Sequence, residues 1–190
     1  MKIAVLMWYD DKIKYYADNF HKINAAYCEK YNYTLIKSST RRCKGREPHW
    51  ERFPLILKHI KDYDYVVWID ADAWFYADAP PLEDIIKKYN KEILFSAERP
   101  ISRPPPVINS GVIICKNTQR VIDTINKWAY SEDLKDKYSE VCSGTWIEDQ
   151  GVVRGCFRDN VDGLRDISVI IPYLELQHHK QSERGDNGCW

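Results

Sequence analysis

Five residues, Tyr65-Val66-Val67-Trp68-Ile69, run without a break into Asp70-Ala71-Asp72. A run this short, made of β-branched and aromatic residues, reads as a strand buried on both faces. A parallel sheet with helices on either side provides that environment. Ligands of such sheets bind beyond the carboxyl ends of the strands. In extended chain, positions i and i+2 point to the same side. The two carboxylates are therefore expected to share one side of the strand mouth, where they can share a divalent cation; the alternative is a solvated strand end at which Asp stops the sheet. Oxygen donors suit Mn²⁺ or Mg²⁺, ions that also bind substrate phosphates. Without the ion, one of the two Asp residues should have a raised pKa. Ala71 between them is small and leaves room for a ligand.

The remaining pattern alternates strands with helices. Ile3–Met7 reads as a buried strand. A helix follows, with Tyr15, Tyr16, Phe20, Ile23 and Tyr27 near 3–4 spacing. Tyr33–Ile36 reads as a strand, and the polar, basic segment 38–48 as a loop. Residues 50–60 read as a helix with Pro54 in its first turn, and 82–88 as a short helix. Ile93–Ser96 and Val112–Cys115 are expected strands, with Pro104-Pro105-Pro106 marking an extended loop between them. A helix over 120–130 is capped by Thr118, residues 150–156 are helical, and Val169–Ile171 is a last strand stopped by Pro172. These elements predict an α/β fold with a mostly parallel central sheet flanked by helices. No repeat or linker interrupts the chain, so residues 1–190 are expected to form one domain.

Composition narrows the partners. Lys plus Arg and Asp plus Glu both number 28, for a formal net charge of zero. A chain that lives by neutralising a phosphate backbone carries a basic excess, so nucleic acid is not the expected partner. The 44% hydrophobic content is that of a folded protein. No stretch approaches the roughly 20 apolar residues of a membrane span. The run at Ile3–Trp8 is too short for a signal peptide core. Six cysteines lack any CxxC pair or zinc spacing. Free thiols and a cytoplasmic location are the expectation.

The string from Tyr65 to Phe75 resembles the DxD segment of GT-A fold glycosyltransferases. It looks closest to the yeast-type α-galactosyl and α-mannosyltransferases, and more distantly resembles glycogenin. The small glycosyltransferases encoded by chlorella viruses are similar in size, which would place a viral protein in the host cytoplasm. The resemblance extends from Ile3 to about His179 and implies the GT-A fold, a nucleotide-sugar donor such as a UDP- or GDP-hexose, and a glycan or glycoprotein acceptor. Asp70 and Asp72 would bind the metal, with Asp70 and Ala71 also at the donor. Asn109-Ser110-Gly111 resembles the segment that contacts the donor sugar, with Gly111 permitting close backbone approach. Asp149-Gln150 resembles the catalytic pair of the retaining members: Asp149 would bind sugar hydroxyls, and Gln150 would lie near the face opposite the leaving group. A late His is commonly the third metal ligand, and His178 or His179 would serve, although the family's usual His-x-x-Gly-x-Lys context is missing. Arg52 and Lys180 would neutralise the diphosphate, and Tyr9 would bracket the base.

The implied reaction moves a hexose to an acceptor hydroxyl with retention, by same-face attack assisted by the leaving phosphate. Three other readings compete with it. A haloacid-dehalogenase-type phosphatase needs Thr or Val two residues after the second Asp, where this chain has Trp74. A sugar nucleotidyltransferase expects a Gly-rich loop after the first strand, and Met7–Asp11 has no glycine. A sugar-nucleotide or glycan-binding module without catalysis is the alternative from another class.

Overall fold

The computed structural model describes residues 1–98, 107–138, 148–172 and 175–176. Strand β1 (Ile3–Trp8) is followed by helix α1 (Lys14–Tyr31) and β2 (Thr34–Ser38). A 3₁₀ turn over Pro48–Glu51 leads into α2 (Arg52–His59), then β3 (Tyr65–Ile69), α3 (Leu82–Tyr89), β4 (Ile93–Ala97) and β5 (Ile108–Lys116). The chain continues through α4 (Gln119–Tyr130), α5 (Glu132–Tyr138), α6 (Glu148–Arg158), α7 (Leu164–Ile167) and β6 (Ser168–Ile171). The strands form one sheet in the order β2-β1-β3-β5-β4-β6. The β1–β2, β1–β3 and β4–β6 pairs are parallel, while β5 is antiparallel to both its neighbours. Five strands therefore point one way and β5 the other, which is the mostly parallel sheet expected.

Both faces of this sheet are covered, which is why β1 and β3 are apolar at every position. Alternation along β1 sends Ala4, Leu6 and Trp8 into a cluster with Trp50, Phe53, Ile125 and Trp128 from α2, α4 and the turn before α2. Ile3, Val5 and Met7 join the opposite cluster with Ala17 and Tyr27 of α1 and Leu82 and Ile86 of α3. Thr118 caps α4 by accepting from the Val121 amide at 3.3 Å, as the sequence implied. Asn32 and Asn90 end α1 and α3 in the left-handed conformation, the usual role of Asn or Gly there.

Several boundaries differ from the sequence reading. The helix at 150–156 begins earlier, at Glu148, and runs to Arg158. Helices α5 and α7 were not anticipated. The strand expected from Val112 begins at Ile108, so Asn109-Ser110-Gly111 lies inside β5 and not in a turn before it. Phe95 of β4 pairs with Ile113, but the next residue, Ser96, pairs with Asn109. Residues 110–112 thus leave the β4 ladder as a bulge while staying beside β3. Side chains replace the missing ladder bonds: Gln150 Oε1 accepts from the Ser110 amide at 2.8 Å, and Asn109 Oδ1 accepts from the Gly111 amide at 2.8 Å.

Four cysteines, Cys28, Cys43, Cys115 and Cys156, are free and buried. No described helix is long and apolar enough to cross a membrane.

Candidate active site

The order of the sheet reverses between β1, which leads outward to β2, and β3, which leads the other way. Crevices form at such switch points, beyond the carboxyl ends of the strands. Asp70 sits there, directly after β3. Its backbone amide donates to the Gly111 carbonyl at 2.9 Å, tying the end of β3 to the bulge in β5. Asp70-Ala71-Asp72 does not continue as extended chain. A turn closes on it, with the Ala73 amide donating to the Asp70 carbonyl at 3.0 Å. The i, i+2 alignment of an extended strand is therefore replaced by a turn, yet the carboxylates remain close enough that Asp70 feels the charge of Asp72.

Burial pushes the Asp70 carboxyl up from its ordinary 3.8 to about 6. The Arg52 guanidinium opposes that shift, and the Asp72 charge adds to it. Burial likewise raises Asp72. The Asp70 side chain is a third exposed, so the pair opens to solvent at the crevice. Trp68 Nε1 donates to Asp70 Oδ1 at 2.7 Å and Arg52 Nη2 lies 3.5 Å from the same oxygen. Oδ1 is thereby fixed. The other oxygen, Oδ2, faces Gly111, where a Cβ would stand 3.1 Å from it and 2.9 Å from Asn109 Oδ1. Only glycine lets the strand pass this close.

A second layer forms where α2 and α6 begin. Arg52 is 5% exposed; its Nε lies 2.7 Å from Asp149 Oδ2 and donates to the His49 carbonyl at 3.0 Å, and its Nη1 donates to the Ser110 carbonyl. His49 Nε2 approaches Asp149 Oδ1 at 3.7 Å. Gln150 Oε1 accepts from both the amide and the hydroxyl of Ser110, at 2.8 and 3.0 Å. Arg52, Asp70, Asp149, Gln150 and Asn109–Gly111, 98 positions apart at the extremes, are thus drawn into one connected set.

Tyr9 lies on the β1 side of the crevice, but it is 1% exposed. Its hydroxyl donates to Asp18 Oδ1 at 2.9 Å, and Lys37 Nζ stands 4.5 Å above the ring. Burial and Asp18 push its hydroxyl up to about 12. The ring serves as a wall of the crevice and shows no open face to a base. His178, His179 and Lys180 lie outside the described residues.

Three contributors had not been read from the sequence. Trp68 stands two residues before Asp70, and period-two alternation could have placed its indole on the same side. Glu51, fully buried, receives the Arg42 and Cys43 amides at 2.8 Å and so fixes the basic loop beside β2. Nothing local to His49 signals its approach to Asp149.

The donor chemistry of the described residues fits a hard divalent cation. Asp70 and Asp72 supply oxygen, and the excess of carboxylates over the single Arg52 guanidinium leaves negative charge uncompensated. Among the described residues no third His, Cys, Asp or Glu completes a cluster able to hold a metal, so water, phosphate oxygens or the late histidines would supply the other positions.

A six-stranded, mostly parallel sheet with helices on both faces, one reversed strand, and an Asp-x-Asp turn at the switch point define the GT-A fold of nucleotide-diphospho-sugar transferases. A solved structure agrees in fold. A glycosyltransferase involved in the glycosylation of the major capsid of PBCV-1 superposes with a TM-score of 0.68 at 14% identity, over 90% of this chain and 82% of that one. The galactosyltransferase LgtC, solved with donor and acceptor sugar analogs, matches with a TM-score of 0.47 at 14% identity, over 81% of this chain and 70% of that one. No protein-family model matches the sequence, and no characterised protein sequence matches it.

Proposed function

We propose that this chain is a single-domain, metal-dependent glycosyltransferase that moves a hexose from a nucleoside diphosphate, UDP or GDP, to a hydroxyl of a glycan or glycoprotein, with retention of configuration. The observation that carries the reading is the half-buried, charge-rich Asp70–Asp72 turn at the switch point of a GT-A sheet, linked through Arg52 to Asp149.

Asp70 and Asp72 would hold Mn²⁺ or Mg²⁺, with His178 or His179. The ion would act as a Lewis acid toward the leaving diphosphate. Arg52 orients Asp149 through the 2.7 Å contact to its Oδ2, so that the remaining oxygen lone pairs accept hydrogen bonds from donor hydroxyls. Asn109 and the Ser110–Gly111 backbone form the floor against which the sugar rests, and Gly111 keeps that floor flat. The Gln150 NH₂ group is directed by its own carbonyl, which Ser110 holds, and donates toward the sugar. No strong nucleophile stands free in this set, because Asp149 is committed to Arg52. That favours same-face attack by the acceptor over a covalent intermediate. Lys180 would add positive charge at the diphosphate.

Calorimetric titration of UDP, GDP and their hexose derivatives, with Mn²⁺ and then with EDTA, tests the reading. Nucleotide binding that requires Mn²⁺ and disappears in Asp72→Ala is the expected result. Metal-independent binding, or binding unchanged in that variant, would sink the metal assignment.

A further inference from the structure

A cavity of about 480 Å³ opens on the flank of α1, away from the crevice. Its walls are Tyr27 of α1 and Phe75 and Tyr76 of the segment after Asp72, and Lys22 and Lys30 stand at its rim. Among the described residues the lining contains no Asp or Glu, although the whole chain is balanced in charge. At a rise of 1.5 Å per residue, Lys22 to Lys30 lie roughly 9–21 Å along the helix from Tyr16. Tyr16 itself packs against the same apolar cluster as Ala71 and Ala73, the neighbours of Asp72.

The cavity is built rigidly. Asn24, fully buried, donates to the Ala73 carbonyl at 3.0 Å and accepts from the Phe75 amide at 3.0 Å. Tyr27 and Tyr31 donate to the carbonyls of Pro80 and Ala79 at 2.7 and 2.8 Å, and the Phe75 ring stacks on Tyr27 at 3.9 Å. The segment that leaves the Asp70–Asp72 turn is therefore clamped along α1. Rings connect the two sites: Tyr16 meets Phe20 at 6.4 Å, Phe20 stacks on Trp74 at 5.0 Å, and Trp74 meets Tyr76 at 6.3 Å. Tyr15, Ile23 and Tyr76, three of the large apolar side chains that the described residues leave exposed, belong to this face. Clustered exposed apolar surface marks a binding site.

We infer that this cavity is a second saccharide site, which holds an anionic sugar unit of the acceptor chain while another unit of that chain lies at the crevice. Flat apolar rings suit the C–H faces of a pyranose, a preformed concave pocket suits a small ligand, and two ammonium groups without a carboxylate select negative charge. The separation from Tyr16 requires an oligosaccharide and excludes a single sugar as the whole acceptor. The inference rests on the glycosyltransferase reading, and the test separates the two.

The probes are oligogalacturonides, in which the charge is carboxylate, chondroitin sulfate oligosaccharides, in which sulfate adds to it, and neutral cello-oligosaccharides of equal length. Each is titrated calorimetrically into the full chain in EDTA, so that no metal occupies the crevice. The expected result is binding of one or both anionic series and not of the neutral one, weakened at least tenfold by Tyr76→Ala and at least threefold by Lys22→Ser, with Mn²⁺-dependent UDP binding unchanged in both variants. Absence of binding, equal binding of the neutral series, or binding that neither variant weakens would overturn it. So would a concentration-dependent dimer in sedimentation that Tyr76→Ala abolishes, because the face would then belong to a second copy. Anionic binding in the absence of any Mn²⁺-dependent nucleotide binding would remove the donor reading and leave a glycan pocket, so the two failures are distinguishable.

Discussion

Asp70 is the residue on which the electrostatics of the crevice turn. Its carboxyl is raised to about 6 by burial, so the folded chain holds a proton there at pH values at which the unfolded chain has released it. The folded state binds more protons between about pH 4 and 6, and stability contributed by this group is lost as pH rises through that window. At pH 7.5 without metal, Asp70 is an ionised group in a site that disfavours it. Asp70→Asn keeps an oxygen to accept from Trp68 and should raise the melting temperature at pH 7.5 in EDTA by a few degrees, since about 1 kcal/mol corresponds to roughly 2–4 °C in a chain of this size. The gain should vanish at pH 4.5, and scanning calorimetry at the two pH values checks it. Gly111 offers a second residue-scale test. A methyl group there would press on Asp70 Oδ2 and Asn109 Oδ1. Gly111→Ala should weaken Mn²⁺-dependent nucleotide binding about tenfold or more, with a melting temperature lowered by only a few degrees, because both neighbours are side-chain atoms at an open crevice. Unchanged nucleotide affinity would mean that the strand does not approach the donor there.

Helices α5 and α6 show what the sequence makes legible and what it hides. Apolar runs announced β1, β3 and β4 because each is buried on both faces, with β3 read to its ends and β1 and β4 one residue short. Helices α1 and α4 followed from 3–4 spacing, and α4 from its Thr118 cap. Helix α5 escaped notice because Glu132–Tyr138 is almost entirely charged and meets the rest of the chain chiefly through Tyr138, which is fully buried. The reason lies on another element. A Cβ at Gly155 of α6 would stand 2.3 Å from the Tyr138 ring, so a glycine that reads as a helix breaker is a seat for an aromatic ring. Tyr138 then reaches Asp159 at 2.9 Å through its hydroxyl. Gly155→Ala should improve the helix locally by up to about 1 kcal/mol yet lower stability by about 1–3 kcal/mol through overpacking. Urea denaturation measures the balance, and a neutral or stabilising outcome would show that α5 is free to move off α6. The bulge in β5 was hidden for a related reason: Asn109-Ser110-Gly111 reads as a turn, and only Gln150, 40 positions away, satisfies the Ser110 amide inside the sheet.

At the scale of the whole molecule, the candidate site is assembled from segments that carry unequal amounts of information in sequence. The Asp70–Asp72 pair could be located from its neighbours alone, because an apolar run that meets two carboxylates marks the end of a strand, but the turn that replaces their extended alignment could not. The Arg52–Asp149 ion pair could not, because pairing across nearly 100 residues leaves no periodic trace, and each partner alone resembles an ordinary charge at a helix start. Such a site ties the free energy of ligand binding to the integrity of the sheet, since its ligands hang on β3, β5, α2 and α6 together. A ligand that binds only the folded chain stabilises it by about 2.7 kcal/mol at a hundredfold excess over Kd, which corresponds to a rise of roughly 5–11 °C for a chain of this size. UDP with Mn²⁺ should therefore raise the melting temperature by that amount. EDTA or Asp72→Ala should abolish the rise, and Tyr76→Ala on the far flank of α1 should leave it intact. Thermal denaturation of the three proteins under the four metal and nucleotide conditions decides it. A rise that survives in Asp72→Ala would place the nucleotide away from the switch point, and a rise lost in Tyr76→Ala would mean that the clamp along α1 positions the carboxylate turn as well as the pocket.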